Sequence, residues 1–290
     1  MNTLELVQYV RELGSLPDGR FSDDELIRLA NGEISDLYMQ IIQSRQDFMI
    51  ETVTTSGTQF RIPSRAVGQK IRDITAKLGT KMIGIPRVDL SDLSMDPVGY
   101  YYKGNNVIMN NVYTQIPGCT YEVSYYARPG VLCNVSSSVI CTSVSSTGSS
   151  WSGATITGSK YDFIKGTSGY ETISASLSVV TGTQTGSAFP YTNTISTVIG
   201  GIEVGDWMSA VNTSPVPQLP DEFHDVLGTL TIARALDSIG DNEGFARATA
   251  QGKKQTDSCI SLIGERDDGT PEKFRLDVFS PWVAGGRRWR

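Results

Sequence analysis

Histidine and long apolar runs are the scarcest features of this 290-residue chain. Its one histidine, His224, is the only side chain that a triad-type hydrolase could use as its imidazole base. His224 lies between two carboxylates near the start of a predicted helix, so a surface or hydrogen-bonded histidine is the simpler interpretation. Phosphate-binding loops, dinucleotide fingerprints and the G-x-S-x-G elbow are missing as well. We therefore predict a protein without enzymatic activity, catalytic residues or cofactors.

No apolar run approaches the roughly 20 residues that a membrane-spanning helix needs. The first residues also lack the basic start and apolar core of a signal peptide, which predicts a protein made in the cytoplasm and not inserted in a membrane. The cysteines form no C-x-x-C pair, so free thiols are favoured over disulfides or a metal site. They are Cys119, Cys133, Cys141 and Cys259.

Acidic residues outnumber basic ones by 31 to 25, which gives a formal net charge of −6. This balance argues against a nucleic-acid coat protein. An ordinary soluble surface explains it, and so does the wall of a passage through which DNA moves without sticking. One segment departs from the acidic trend, and it is either a solvated helix face or an electrostatic contact with an acidic partner. Its basic residues are Arg61, Arg65, Lys70 and Arg72.

Helical patterns occupy both ends of the sequence. Residues 3–13 predict a first helix, with Leu4, Val7, Val10 and Leu13 on one face. A capping box of Ser22 and Glu25 starts a long second helix. Its apolar face is Ile27, Ala30, Ile34, Leu37, Ile41 and Phe48. Ser64 is expected to cap a short helix whose inward side chains are Val67, Ile71 and Ile74.

Residues 219–236 are the stretch around which we expect the rest to be organised. Pro220 and the acidic residues after it suit a helix N-terminus, and Gly240 suits its end. An apolar stripe follows the helical period. It comprises Phe223, Val226, Leu227, Leu230, Ala233 and Leu236. A further helix is predicted at 243–262, with Ala246, Ala250 and Ile260 among its apolar positions.

Strand patterns fill the middle of the chain. They are predicted at 81–85, at 120–127 and in a hairpin of 98–103 and 107–109 around Gly104–Asn106. The tyrosines of these strands could stack on bases, but tyrosine is also a common strand residue. Residues 131–212 are rich in Ser, Thr and Gly, and strand-like alternation at 172–180 and 194–199 favours short antiparallel strands over disorder. The charged residues between Cys133 and Gly200 are Lys160, Asp162, Lys165 and Glu171.

These patterns predict an α+β fold: a helical base made of N- and C-terminal helices, with an inserted antiparallel β-sandwich or barrel-like domain. The last part of the chain predicts a strand at 273–279 and then either a frayed end or a docking arm, which we favour because Trp and Arg are enriched at binding hot spots. The arm residues are Trp282, Arg287, Arg288, Trp289 and Arg290. The expected divisions are 1–80 (first part of the base), 81–130 (hairpin strands), 131–212 (β insertion), 213–264 (last helices of the base) and 265–290 (strand and arm).

Several motifs, in this order, resemble the head-to-tail adaptor proteins of tailed bacteriophages. They are SDDELI at 22–27, IPSRAVG at 62–68, GYYYKGN at 99–105, YYARP at 125–129 and LPDEFH from 219. The resemblance covers the helical base and the first strands and leaves out the Ser/Thr-rich insertion.

The resemblance implies a virion neck protein without catalytic activity. Adaptors of this kind form a ring, typically dodecameric, beneath the portal, where they extend the DNA channel and carry the tail. By the same resemblance, Trp282 to Arg290 would dock in the portal, and the insertion would meet collar, fibre or tail proteins. DNA would pass an acidic channel wall without specific binding, because that wall repels phosphate.

Two alternatives come from other classes of protein. In the first, the β insertion is a receptor-binding, glycan-binding or capsid-decorating module that the helices anchor in the virion. In the second, the chain is a virion enzyme such as a cell-wall hydrolase, which would depend on His224 or a carboxylate.

Overall fold

The computed structural model describes residues 1–16, 19–44, 49–91, 97–156, 160–166, 172–178, 181–185, 189–195 and 199–264. The fold is α+β, as the sequence predicts, with helices at both ends of the described chain and antiparallel strands between them. The predicted strand at 273–279, the arm residues Trp282, Arg287, Arg288, Trp289 and Arg290, and Phe48 lie outside the described residues.

The helices are α1 (Thr3–Gly14), α2 (Asp23–Ser44), α3 (Val112–Gln115), α4 (His224–Ile239) and α5 (Asn242–Gly264). The strands of the first β part are β1 (Ile50–Thr55), β2 (Gln59–Arg61), β3 (Asp73–Leu78), β4 (Lys81–Gly84), β5 (Gly99–Lys103), β6 (Asn106–Asn110) and β7 (Thr120–Tyr126). The strands of the second β part are β8 (Val131–Leu132), β9 (Val139–Ser145), β10 (Gly148–Gly153), β11 (Lys160–Ile164), β12 (Thr172–Ser178), β13 (Thr181–Thr185), β14 (Tyr191–Ile195), β15 (Trp207–Ala210) and β16 (Thr213–Ser214).

Helix α4 is the centre of the helical base, and α1, α2 and α5 all pack against it. Its buried side chains extend beyond the predicted stripe to Ile232 and Ala235. Leu230 and Leu236, which the stripe included, are only partly buried. A helix surrounded on three sides buries more of its circumference than a surface helix, so the stripe marks only part of the contact.

The ends of these helices follow the predicted local signals. Ser22 and Glu25 form the reciprocal capping box, in which each backbone N–H donates to the other side chain. A 3₁₀ turn, Asp221–Phe223, precedes α4. Gly240 ends α4 at a φ of 80°, a left-handed conformation that glycine adopts without a steric penalty.

Two glycines allow the helices of the base to approach closely. A Cβ built on Gly228 of α4 would lie 2.5 Å from the ring of Tyr9 on α1, and one on Gly252 of α5 would lie 2.6 Å from Leu230. Helix α5 therefore meets α4 through small and polar residues such as Gly252 and Thr256, both buried.

The predicted inner faces of α5 and α1 are partly wrong. Ala246 and Ala250 are exposed, whereas Ile260, which the pattern also included, is partly buried against the core of the base. On α1, Val7 and Val10 are buried, but Leu4 and Leu13 are exposed. Thr3 and Leu6 are buried instead, since the side chain and the N–H of Thr3 form hydrogen bonds with the middle of the chain.

Residues 50–127 form two small sheets that share one core. The four-stranded sheet has the order β1-β7-β3-β4 and the three-stranded sheet has the order β2-β6-β5. Tyr121 and Val123 from the first sheet and Val107 and Met109 from the second belong to the same buried cluster. The predicted hairpin around Gly104 is confirmed as β5 and β6, and the predicted strands at 81–85 and 120–127 are confirmed as β4 and β7.

The short helix predicted after Ser64 is wrong, and so is the boundary at residue 80. The helical part ends at Ser44, and strands begin at Ile50. In place of the helix there is a 3₁₀ turn, Val67–Gln69, in which Gly68 has a φ of 58°. A positive φ is incompatible with a continuous helix, so the chain leaves the turn and enters β3. Ile71 and Ile74 are buried, and the helical pattern had also placed them inward.

Residues 131–212 contain one seven-stranded antiparallel sheet in the order β12-β11-β15-β9-β10-β14-β13. The predicted strand at 172–180 is confirmed as β12 up to Ser178, and the one at 194–199 overlaps β14 at Thr194 and Ile195. Residues 179–180 and 196–198 lie outside the described residues. Trp151 on β10 and Phe163 on β11 pack with ring centroids 5.6 Å apart, although two strands separate β10 from β11. Neighbouring strands lie about 4.8 Å apart, so the sheet must be strongly curled.

The two edge strands of this sheet, β12 and β13, follow each other in the sequence. Only three peptide steps link Ser178 to Thr181, which limits the distance between their Cα atoms to about 11 Å. The curl therefore brings one end of each edge strand close to the other. Among the described residues β12 and β13 do not pair, so the sheet is an open barrel-like layer rather than a closed barrel.

Candidate functional site at the root of the β insertion

The insertion leaves the rest of the chain and returns to it at one place, which we call the root. Strands β8 and β16 pair in parallel there, with Val131 opposite Thr213 and Leu132 opposite Ser214. The N–H of Val131 donates to the carbonyl of Asn212 at 2.9 Å. The predicted limits of the insertion, 131 and 212, thus coincide with a paired entry and exit.

The first two helices of the base hold the root. Thr3 of α1 donates from its N–H to the carbonyl of Pro215 and from its hydroxyl to the carbonyl of Cys133, both at 2.8 Å. Asn31 of α2 makes two hydrogen bonds with the backbone of Leu132, donating to its carbonyl at 3.0 Å and accepting from its N–H at 2.7 Å. An amide that bonds both backbone groups of one residue fixes that residue's position and orientation.

Gln218 and Arg65 tie the first residue of β12 to the same region. Gln218 accepts from the N–H of Gly130 at 2.5 Å and donates to the hydroxyl of Thr172 at 3.0 Å. Arg65 donates to that hydroxyl at 3.2 Å and to the carbonyl of Arg128 at 3.1 Å. One edge of the seven-stranded sheet is thereby fixed to the two small sheets.

Arg65 also forms the ion pair of this region. Its guanidinium lies 3.5 Å from the carboxylate of Glu51, and only 12% of its side chain is exposed. Tyr125 donates to the same carboxylate at 2.8 Å, and Tyr38 of α2 donates to the carbonyl of Ala127. Base, small sheets and insertion therefore meet in one hydrogen-bonded cluster.

The four basic residues of the predicted electrostatic contact do not form one surface. Arg65 is engaged inside the chain, whereas Arg61, Lys70 and Arg72 are exposed. Arg72 lies 3.9 Å from the carboxylate of Asp73. A contact with an acidic partner stays a prediction for the three exposed residues.

Burial raises the pKa of Tyr38 and of Tyr125, and the nearby Glu51 carboxylate raises both further. Both phenols therefore stay protonated and act as hydrogen-bond donors over the whole neutral range. The cluster fixes geometry, and its groups are matched to one another rather than directed at a cavity.

Four of the five described charged residues of the insertion form contacts within it. Asp162 is buried and accepts from the N–H of Asn212 at 2.7 Å, at the exit of the insertion. Lys165 lies 2.8 Å from Glu203. Asp206, fully buried, accepts from the N–H groups of Gly166 and Glu203. Glu171 lies outside the described residues.

His224 is buried, with 4% of its surface exposed, so the surface position that the sequence allowed is wrong. Its Nε2 lies 3.2 Å from the carbonyl of Pro217, and its Nδ1 lies 3.3 Å from the amino group of Met1. Burial lowers the pKa of His224, and the neighbouring amino group lowers it further. The imidazole therefore serves as a neutral link between the start of α4 and the base.

We expect the stability of the protein to fall as the pH drops below about 6.5. The pKa of His224 is lower in the folded chain than in the unfolded one. As the pH falls, the unfolded chain therefore binds the proton before the folded chain does. Proton binding stabilises the unfolded chain relative to the folded one, and this effect grows until the pH reaches the lower pKa of the folded chain. Urea denaturation between pH 5.5 and 8 measures this slope, with His224→Gln as the control. An equal slope in both proteins would assign the pH dependence to other groups.

The described residues contain no group of three or more His, Cys, Asp or Glu side chains placed to hold a metal ion. None of the described helices is long and apolar enough to cross a membrane. The four cysteines are free thiols, and burial raises the pKa of Cys141 and of Cys259, which disfavours the reactive thiolate.

Sequence reasoning missed most of the root. Asn31, Glu51 and Gln218 are single polar residues in ordinary surroundings, and no motif sets them apart. Arg65 stands out by its charge and by its place in the motif at 62–68, neither of which indicates its partners. Their partners lie up to 107 residues away, so only the folded chain brings them together.

No protein-family model matches this chain, and no curated protein matches it.

Proposed function

We propose that this chain is a head-to-tail adaptor of a tailed bacteriophage, a non-enzymatic structural protein of the virion neck. In this proposal several copies form a ring beneath the portal, which extends the DNA channel and gives the tail its attachment platform. The motifs at 22–27, 62–68, 99–105, 125–129 and 219–224 support it through their resemblance to such adaptors.

One structural observation carries the proposal further: a helical base drawn from distant parts of the chain holds the root of a large β insertion. Thr3 and Asn31 fix the root from the base, and Arg65 fixes the insertion from the small sheets. A protein built in this way presents two separate surfaces with a fixed orientation between them. That is what a connector needs, because it must bind one assembly on each side.

The proposal assigns a partner to each of these surfaces. The base and the arm of Trp282, Arg287, Arg288, Trp289 and Arg290 would bind the portal, and the insertion would meet collar, fibre or tail proteins. The outer face of α5 is exposed at Lys253, Lys254 and Leu262, and residues 265–290 follow this helix in the sequence. The net charge of −6 suits a channel wall that DNA passes without binding.

Electron microscopy of the protein mixed with the portal protein of the same genome tests the proposal. We expect a ring of added density under the portal with the full chain. We expect that density to be lost when residues 281–290 are deleted, while the circular dichroism spectrum stays unchanged. A ring formed equally well without residues 281–290 would contradict the docking arm, and no ring with either protein would contradict the adaptor.

A virion β-domain that binds a receptor, a glycan or the capsid is the second candidate. A groove of about 260 Å³ on β9, β10 and β14 favours it, because hydroxyl side chains line that groove. They include Ser143, Ser145, Thr147, Ser149, Ser150 and Thr194. Saccharide or capsid binding by the full chain, lost on replacing these hydroxyls and independent of residues 281–290, would support this candidate over the adaptor.

A further inference from the structure

Among the described residues, both edges of the four-stranded sheet are open. Strand β4 is exposed over its whole length, and Thr52, Val53 and Thr54 of β1 are exposed at the opposite edge. Each edge strand pairs with a single neighbour among the described residues, β4 with β3 and β1 with β7. Edge strands with unpaired backbone groups are templates for pairing with another chain.

The backbone groups that point outward can be assigned from the register. Leu78 and Lys81 flank the two-residue turn of the β3–β4 hairpin, and the N–H of Ile85 donates to the carbonyl of Ile74. Hydrogen-bonded pairs alternate with non-bonded ones along an antiparallel ladder. The N–H and C=O groups of Met82 and Gly84 therefore point away from β3.

The same reasoning applies to β1. The N–H of Ala127 donates to the carbonyl of Met49, which places Glu51 and Val53 in hydrogen-bonded pairs with β7. The N–H and C=O groups of Thr52 and Thr54 therefore point away from β7. Each open edge presents two residues with outward donors and acceptors at the same spacing.

The edge of β5, in the three-stranded sheet, is covered within the chain. Residues 86–88 cover the edge of β5, where Tyr100 donates to the carbonyl of Pro86 at 3.0 Å and accepts from the N–H of Val88 at 2.8 Å. Curling brings the edges β12 and β13 of the seven-stranded sheet toward each other. The open parts of β1 and β4 contain neither proline nor a bulge, the usual devices against pairing.

The directions of the two open edges match each other. The sheet is antiparallel throughout and has an even number of strands, so β1 and β4 run in opposite directions. A second copy that continues the sheet beyond β4 with its own β1 keeps the strands antiparallel. Such a contact uses a different surface on each copy, and repetition of it closes a ring when the rotation permits.

We infer that β4 of one copy pairs with β1 of the next copy, with Met82 opposite Thr54 and Gly84 opposite Thr52. This register sets Ile83 opposite Val53, and both point to the side of the sheet that carries the core residues Val123 and Ala76. In the single chain Val53 is 41% and Ile83 is 43% exposed. Pairing covers these apolar side chains as well as the outward backbone groups. The inference names the contact between copies within the ring, and in that respect it rests on the proposed function.

Disulfide crosslinking tests the register. Ile83 and Val53 would form a non-hydrogen-bonded pair, with Cα atoms about 4.5 Å apart, a separation that a disulfide accepts. Ile83→Cys protein is mixed with Val53→Cys protein at high concentration and oxidised. We expect a covalent dimer in the mixture and none with either variant alone. The wild-type protein measures any crosslinking through the four native cysteines, and we expect none there either.

The matched control is a mixture of Val53→Cys with Val144→Cys, which places an equally exposed thiol on β9. Crosslinking no faster than in this control would overturn the inference. A covalent dimer of Val53→Cys with itself would also overturn it, because it would pair β1 with β1.

A second variant tests the backbone contact alone. Met82→Pro removes an N–H that points outward and leaves the hydrogen bonds between β4 and β3 intact. Introduced beside Ile83→Cys, it should slow crosslinking at least tenfold, whereas Met82→Ala should not. An equal rate in both would overturn the inference.

The outcomes separate this inference from the proposed function. A ring under the portal without crosslinking between residues 53 and 83 would overturn the edge pairing and leave the adaptor intact. Crosslinking in solution without a ring on the portal would overturn the adaptor and support the edge pairing.

Discussion

Replacing Trp151 with alanine should lower the free energy of unfolding by about 4 kcal/mol. The Trp151 side chain is fully buried and packs edge-on against Phe163. It fills the concave side of the curled sheet, so its removal leaves a cavity between β10 and β11, which are not hydrogen-bonded to each other. Chemical denaturation followed by circular dichroism measures the change.

The control for this substitution is Val144→Ala on the neighbouring strand β9. Val144 is exposed, so we expect a change within about 0.5 kcal/mol. A loss below about 1 kcal/mol for Trp151→Ala would mean that the sheet does not depend on its central aromatic pair.

Replacing Arg65 with methionine should lower the free energy of unfolding by about 3 kcal/mol. Methionine keeps much of the side-chain volume but leaves Glu51, whose side chain is 25% exposed, without its cation. It also removes the donors to Thr172 and to the carbonyl of Arg128. The loss is large because a partly buried carboxylate without a partner is costly, not because the ion pair itself is strong.

Arg61→Met is the matched control, since Arg61 carries the same charge four residues away and is exposed. We expect its effect to stay within about 0.5 kcal/mol. Equal losses for the two variants would mean that Arg65 acts only through the net charge of the protein.

Local signals in the sequence were reliable where a short segment determines its own conformation. The capping box at Ser22, the stop at Gly240 and the turn at Gly104 each involve a few neighbouring residues, and all are confirmed. The central position of α4 was also predicted, because its apolar stripe is broad.

The errors arise where contacts with a distant part of the chain determine the local structure. The inner face of α5 includes Gly252 and Thr256 beside the apolar Ile260 and Ile263. Apolar periodicity does not detect the first two. The pattern of Val67, Ile71 and Ile74 fits a helix by spacing, yet Gly68 diverts the backbone and two of the three residues still reach the core. The order of the seven strands has no local signal at all.

The root was beyond prediction for the same reason. Thr3 and Asn31 contact residues more than 100 positions away, and each bond replaces water at a site that exists only after folding. His224 was predicted to be either a surface or a hydrogen-bonded histidine, and its burial with bonds at both ring nitrogens leaves only the second. Its real surroundings are the carbonyl of Pro217 and the start of α1.

The central position of α4 also sets the order in which the nascent chain acquires its structure. Helices α1 and α2 leave the ribosome first, but the partner that covers their apolar faces is made only after the whole β part. At roughly 5–20 residues per second, that delay is on the order of 10 s or more. During translation the first two helices therefore carry uncovered apolar surface. Chaperones that cover these faces during translation are therefore expected to raise the yield of correctly folded chains.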